Sequence, residues 1–376
     1  MHVRVVDPSA FTPPYDHALC RALGHAGARV TLVTSQFPYG AVPGPEGYAI
    51  EHGFYRRSRG AAGSWQRRAG KLAAHVPDMR RLRRTARDAD VVHFQWLTVQ
   101  PLDLHLLPRD RPVVLTAHDV LPREGQDVRR RAQARLYRRV DAVVVHSEHG
   151  RRRLVERLDV DPERVHVIPH GAFRHLTTIE RAALPEPLPA VKRPVVLFFG
   201  LLRPYKSVDV LLDAWRRIAD VHDGVPPAEL WVVGLPKMDV RPLKAAAPPG
   251  VRFVDRFVTD PEAAAFFDRA DVVVLPYREI DQSGVLFTAL AFGRPLVLSD
   301  VGGFPEVAAE GAAELVPAGD AAALATALDR LLGDRARQRA LAARAAELAA
   351  GPYSWDAVGR AHLRLYEQLL ATRTGR

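Results

Sequence analysis

A chain of 376 residues, 47% hydrophobic and 26% charged, is long enough for two domains with their own cores and has none of the bias of a disordered or fibrous protein. One cysteine, Cys20, excludes an internal disulfide framework and fits a reducing compartment. The net charge of +10 equals that of residues 56–87 alone, where eleven Arg or Lys face the single acid Asp78.

The opening, MHVRVVDPSAFTPP, reads as a strand followed by prolines, where a secretory leader needs a basic head and a longer apolar run. No stretch reaches the roughly 18 uninterrupted apolar residues of a membrane span, so the expected place is the cytoplasm. From there short β-branched runs alternate with helical patterns: HVRVVD (2–7), RVTLVTS (29–35), DVVHFQ (90–95), PVVLTAHD (112–119), DAVVVHS (141–147) and RVHVIPHG (164–171). Near-continuous apolar strands separated by helices predict a parallel sheet covered on both faces.

A proline-dense stretch, LPEPLPAVKRP (184–194), predicts a stiff linker. The alternation then restarts with VVLFFG (195–200), ELWVVG (229–234), VRFVD (251–255), DVVVLPY (271–277) and PLVLSD (295–300), and ends in Ala- and Leu-rich helices broken at Gly351-Pro352. The expected division is 1–183, a linker at 184–194, a second Rossmann-like domain at 195–351, and a terminal helix at 352–376 packing back on the first domain. Ligands of open α/β sheets bind beyond the carboxyl ends of the strands, so the loops after the strands are where chemistry is expected.

Two loops of the second half have the chemistry of an anion site. FFGLLRPYKSVDVLLDAW (198–215) ends a strand at Gly200 and brings Arg203 and Lys206 before a helix, which suits a diphosphate; a solvated basic loop is the other reading. DQSGV (281–285) opens a second helix with Ser283 as its N-cap, and the amides of Ser283, Gly284 and Val285 would point at an anion; an ordinary capped helix is the bland alternative.

The order of these pieces, strand–G…R…K–helix, then LPY…QSGV…GRPLVLSDVGG.PEV and a terminal SW…LYEQLL helix, resembles the retaining glycosyltransferases of family 4. VIPHGAF (167–173) fits the same pattern. The resemblance implies an α/β GT-B fold, two Rossmann-like parallel-sheet domains facing across a cleft, with the acceptor on the first and a nucleotide sugar on the second. It implies that Arg203 and Lys206 neutralise the donor diphosphate, and that Gly200, Gln282, Ser283, Gly284 and Val285 hold phosphate and sugar. Where the family usually carries two glutamates eight positions apart, this chain has Ile280 and Thr288, with Glu279 and Asp281 flanking the first. Thr288 is then expected to hydrogen-bond the ribose in place of a carboxylate, at a difference on the order of 1 kcal/mol. The reading is a functional variant.

On the acceptor side the loops after Asp7, Phe94, Thr116 and Val145 supply His, Asp, Gln and aromatic side chains suited to sugar hydroxyls. His118 is the expected residue near the reacting sugar, against a buried histidine satisfied by the backbone. Asp16, His17, His93, Trp96 and Asp119 are further candidates. Pro13-Pro14-Tyr15-Asp16 replaces the Gly-rich loop that the family often has there.

The histidines lack metal-ligand spacing, so no metal and no cofactor beyond the donor are expected. Transfer by the front-face route, with retention, is what the resemblance implies. A non-catalytic nucleotide-sugar-binding subunit and a 2-epimerase of the same fold are the alternatives.

Residues 64–87 predict two short helices separated at Pro77, with Trp65, Leu72, Val76, Met79 and Leu82 forming an apolar face among arginines. Such a segment fits an anionic membrane surface at the inner face of the membrane, or a solvated arginine-rich face. Sparse stacking aromatics argue against nucleic acid.

Overall fold

The computed structural model describes all residues except 38, 39, 41, 43, 57, 59–63, 121–126 and 375–376. Arg57 and Arg59 of the basic segment and residues 121–124 of the TAHDVLPRE loop therefore lie outside the described residues. The chain forms two compact units, Met1–Gly171 with Trp355–Arg376, and Ala172–Ser354.

Unit 1 is a parallel sheet of β1 (His2–Asp7), β2 (Arg29–Thr34), β3 (Ala49–His52), β4 (Val91–Phe94), β5 (Val113–Thr116), β6 (Ala142–Val145) and β7 (Val165–Val167), in the order β3-β2-β1-β4-β5-β6-β7. Alternation along β1 sets its two faces. Val3 and Val5 pack with Leu19, Leu23 and Tyr366, while Val6 packs with Met79, Leu82 and Phe94. The terminal helix Trp355–Thr374 lies on the helix Pro13–His25. Gly359 permits that approach, since a Cβ there would stand 2.9 Å from the Ala22 carbonyl.

Unit 2 is a parallel sheet of β8 (Val195–Phe199), β9 (Glu229–Val233), β10 (Val251–Val254), β11 (Val272–Leu275), β12 (Leu296–Ser299) and β13 (Ala313–Val316), in the order β10-β9-β8-β11-β12-β13. Its core is apolar and aromatic, with Trp215, Trp231, Phe266 and Phe287 fully buried. In each sheet the strand order reverses beside the first strand, between β1 and β4 in one and between β8 and β11 in the other. Those switch points open a crevice beyond the strand ends and select two loop pairs.

Three expectations change. The first unit ends at Gly171, not 183, and residues 184–194 are packed chain of unit 2: Leu188 joins its core, and Arg269 donates to the carbonyls of Val191 and Arg193. Residues Trp65–Thr85 form one helix with Pro77 inside it. Burial of His75 before the proline and of Met79 and Leu82 after it holds the helix through the lost N–H. The apolar face read along it divides, because Met79 and Leu82 are buried while Trp65 is 75% and Leu72 58% exposed.

Candidate functional site

In unit 2 the loops after β8 and β11 meet. Gly200 has φ +116, and a Cβ on it would stand 2.9 Å from Lys206 Nζ and 3.2 Å from Val285 Cγ2. Gly234 backs this turn, for a Cβ there would fall 1.9 Å from the Gly200 carbonyl oxygen. Glycine is therefore required at both places. Lys206 closes a short 3₁₀ turn, Pro204–Lys206, and is buried with its ammonium 4.8 Å from the centre of the Tyr277 ring, a cation–π distance. Ser207 follows in the left-handed region at φ +57 and starts the helix Val208–Val221. Arg203 is exposed and makes no ion pair with any described residue.

Two bonds tie the loops further. The Arg278 N–H donates to the Tyr205 carbonyl at 2.8 Å, and the Arg278 guanidinium forks onto the Asp209 carboxylate at 2.7 and 3.1 Å. The Gly-Gly turn closes from the other side. Gly302, at φ +61, lies so close that a Cβ would come 1.9 Å from the Ile280 carbonyl oxygen, and Gly303 N–H donates to the Asp281 carbonyl.

The helix Gly284–Ala291 starts as expected at Ser283, but the capping differs. The Ser283 side chain makes no cap bond, and the Ser283 backbone N–H donates to the neighbouring Gln282 Oε1 at 3.0 Å. Of the expected amides, that of Ser283 is thus occupied within the loop. The Thr288 hydroxyl donates to the Gly284 carbonyl at 3.0 Å, a common resting place for a threonine inside a helix. Its proton is committed there, and only its lone pairs remain for a ribose. Ile280 is a core side chain, Asp281 is buried beside it, and Glu279 is exposed.

In unit 1 the loops after β1 and β4 meet in the same way. Trp96 Nε1–H donates to Thr12 Oγ1 at 2.9 Å, and the Phe11 and Trp96 rings meet edge to face at 5.5 Å. Trp96 stacks on His118 at 5.0 Å with only 17° between the planes. His118 Nε2 lies 3.0 Å from Gln95 Oε1 and Nδ1 lies 3.4 Å from His146 Nε2, so both nitrogens are engaged inside the unit. Burial, with His146 and His170 nearby, holds His118 well below the usual imidazole range. The Asp119 carbonyl accepts from Gln133 Nε2 and from the Tyr137 hydroxyl.

The remaining acceptor candidates are interior. His93 sits on β4, fully buried, with Nδ1 at 2.7 Å from the Tyr366 hydroxyl and Nε2 at 2.8 Å from Thr116 Oγ1. His17 is on the first helix, bonded to the Tyr48 hydroxyl and pushed down to about 4 by burial and by Arg21. Asp16 is buried against Asp7. Asp16 and His17 follow the first strand in the sequence and His93 lies within the run DVVHFQ; apolar neighbours on both sides draw all three inward.

Two groups were missed. Asp7 is the anchor of the loop after β1, and the order D-P-S at a strand end is the signal that could have found it. A buried chain runs from Asp103 Oδ1 to His75 Nε2 at 2.6 Å and from His75 Nδ1 to the Tyr55 hydroxyl at 2.8 Å, joining segments far apart in sequence. Among the described residues no group of three or more His, Cys, Asp or Glu is placed to hold a metal ion, and no helix is long and apolar enough to cross a membrane.

Two parallel α/β units, each with a loop pair at its switch point, make this a GT-B fold, and known structures agree. Sucrose-phosphate synthase from Thermosynechococcus elongatus superposes with a TM-score of 0.78 at 20% identity, over 99% of this chain and 100% of that one. Residues 15–172 match the model of Glycosyltransferase Family 4, and residues 193–334 that of Glycosyl transferases group 1. D-inositol 3-phosphate glycosyltransferase of Nocardia farcinica is 30% identical over 75% of this chain and 67% of its own length. GDP-mannose:glycolipid 4-beta-D-mannosyltransferase of Xanthomonas campestris is 34% identical over 50% of this chain and 49% of its own. The chain belongs to glycosyltransferase family 4.

Proposed function

We propose that this chain moves a sugar from a nucleoside-diphosphate sugar to an acceptor hydroxyl, with retention of configuration and without a divalent metal. The observation that carries the reading is the buried Lys206 ammonium, packed on Gly200 and facing the start of the helix Gly284–Ala291. A buried cation at a helix N-terminus is a place for phosphate. Arg203 adds a second, mobile charge, and the amides of Gly284 and Val285 add donors once Gln282 stays on Ser283. Thr288 can accept a bond from a ribose hydroxyl.

In the reaction the bond from the anomeric carbon to the phosphate oxygen breaks while one forms to the acceptor oxygen. The acceptor's proton passes to the departing phosphate, whose charge Lys206 and Arg203 stabilise. A group that already spreads positive charge over the diphosphate leaves no need for a metal. His118, with both nitrogens engaged, serves as wall and orienting contact for a sugar rather than as the proton acceptor.

The acceptor side belongs to unit 1. Its long helix Trp65–Thr85 adds a second element to the proposal: exposed Trp65, Arg68 and Leu72 fit the anionic face of a membrane, and peripheral attachment of a cytoplasmic enzyme follows. Sedimentation with anionic and with neutral liposomes tests this; binding to neither removes it.

Incubation with UDP- and GDP-sugars, followed by release of free nucleotide, tests the main reading. Lys206→Ala is expected to lower kcat/KM by about 100-fold or more. Unchanged kinetics in that variant would remove the donor assignment, and a thermal shift without turnover would favour a binding subunit.

A further inference from the structure

The loop after β1 is built around a buried carboxylate. Asp7 Oδ1 accepts from Ser9 N–H at 3.1 Å, and Oδ2 accepts from Phe11 N–H at 2.5 Å and Thr12 N–H at 3.2 Å. Ala10 is held in the left-handed region at φ +51, a strained conformation for a residue with a Cβ. Behind Asp7 lies Asp16, equally buried and hydrogen-bonded to it. Burial raises both carboxyls, Asp16 well above the usual range with the facing Asp7 charge adding to it, while the Asp16 contact and the three N–H bonds act against the rise at Asp7. Thr12 completes the fastening, donating its hydroxyl to Asp16 Oδ1 at 3.3 Å and accepting from Trp96 Nε1.

What this fastening displays is a phenyl ring. Phe11 is 59% exposed although its own N–H is pinned to a buried carboxylate. Its backbone is fixed by that bond, and its ring meets Trp96 edge to face and otherwise lies open. Phe11, Trp96 and His118 form a continuous run of rings, and Gln100 and Asp119 line a space of about 40 Å³ beside Trp96 and His118, too small for a sugar ring, which would lie on the rings instead. Aromatic faces beside a carboxylate and an amide match the two surfaces of a pyranose, whose axial C–H groups stack on rings and whose neighbouring hydroxyls take paired planar acceptors and donors.

We propose that Phe11 and Trp96 form a stacking subsite for the pyranose ring of the acceptor, and that Asp7 and Asp16 are positioning residues that hold Phe11 in place. This rests on the glycosyl-transfer reading for the word acceptor; the carbohydrate subsite itself does not. It narrows the acceptor to one that presents a sugar ring rather than an acyclic hydroxyl.

Methyl α-D-glucopyranoside and methyl α-D-mannopyranoside are the probes, titrated into the full chain while tryptophan fluorescence is followed, with glycerol as the acyclic control. A saturable change with at least one pyranoside and none with glycerol is expected. Phe11→Leu, which keeps bulk and loses the ring, should weaken the affinity about tenfold, and Phe11→Tyr should restore it. Trp96→Phe should remove most of the fluorescence change. Asp7→Asn should weaken binding with Phe11 intact; if that variant does not fold, the Leu and Tyr pair still decides.

Equal affinity in Phe11→Leu and wild type, or no saturable change with either pyranoside, overturns the subsite. Nucleotide release by the wild-type chain is measured in parallel. Release without pyranoside binding leaves the function and sinks the subsite, while pyranoside binding without release upholds the subsite and sinks the function.

Discussion

Unit 1 buries His75, His93, His146, His170 and His362 together with Asp7, Asp16 and Asp103, whereas the buried charged groups of unit 2 among the described residues are Lys206, Glu229 and Asp281. The contrast extends to the switch-point loops, which occupy the same place in the two sheets. After β1 the loop is fixed by side-chain carboxyls that gather backbone N–H groups; after β8 it is fixed by glycines that let backbone press on backbone. One topology therefore has two fastenings, and only the first titrates.

Acid gives the largest expected effect. Burial pushes His146 and His362 down to about 4 and His170 to about 3, against 6.5 for a free imidazole, and lowers His93 and His118 as well. The unfolded chain then binds more protons than the folded one between about pH 6.5 and 4, so stability is full above that window and is lost as pH falls through it. His146 and His362 each account for on the order of 3 kcal/mol of that loss. Asp16, raised by burial and by Asp7, and Asp7, raised by burial, act with the opposite sign. Thermal unfolding at pH 7 and pH 4.5 should show unit 1 melting first in acid; joint loss of both units, or loss of unit 2 first, breaks the comparison.

The reverse test attacks the glycine fastening. Gly302→Ala sets a Cβ 1.9 Å from the Ile280 carbonyl at a positive φ and should destabilise unit 2 by about 4 kcal/mol, independently of pH. Chemical denaturation reads it. Asp103→Ala leaves His75 and the Val99 N–H without their acceptor inside unit 1 and should cost about 3 kcal/mol, with unit 2 unchanged. The smallest effect is expected from Asp209→Asn. The Arg278 fork is half exposed, so stability should move by less than about 1 kcal/mol, while the donor KM rises several-fold as the two loops loosen. An unchanged KM would show that Gly200, Gly234 and Gly302 fix these loops unaided.

How far the chain was readable differs along its length. The inner strands were legible as runs such as VVLFF and DVVVL, because a strand buried on both faces needs little else. The edge strands β3 and β13 were not: AIEH and AELV are short and half exposed, and pairing rather than composition makes them strands. Gly200 and Lys206 were singled out from a loop motif and His118 from its place at a strand end and the family resemblance. The capping of Ser283 by Gln282 and the turn of Thr288 onto its own helix were not, since both are choices among local hydrogen-bond partners that sequence leaves open.

Composition and periodicity by themselves determined two parallel α/β halves, the strand ends where loops of chemical interest begin, and the glycines and cations placed on them. These depend on neighbours within a few residues, where steric and hydrophobic preferences act directly. Only the tertiary structure decided that the first unit closes with Trp355–Arg376, that Pro77 stays inside a helix, that His93 faces Tyr366 and that Asp7 is buried beside Asp16. Each joins groups whose separation in the chain carries no local signal, and each is fixed by burial, which makes polar groups find partners wherever the fold brings them.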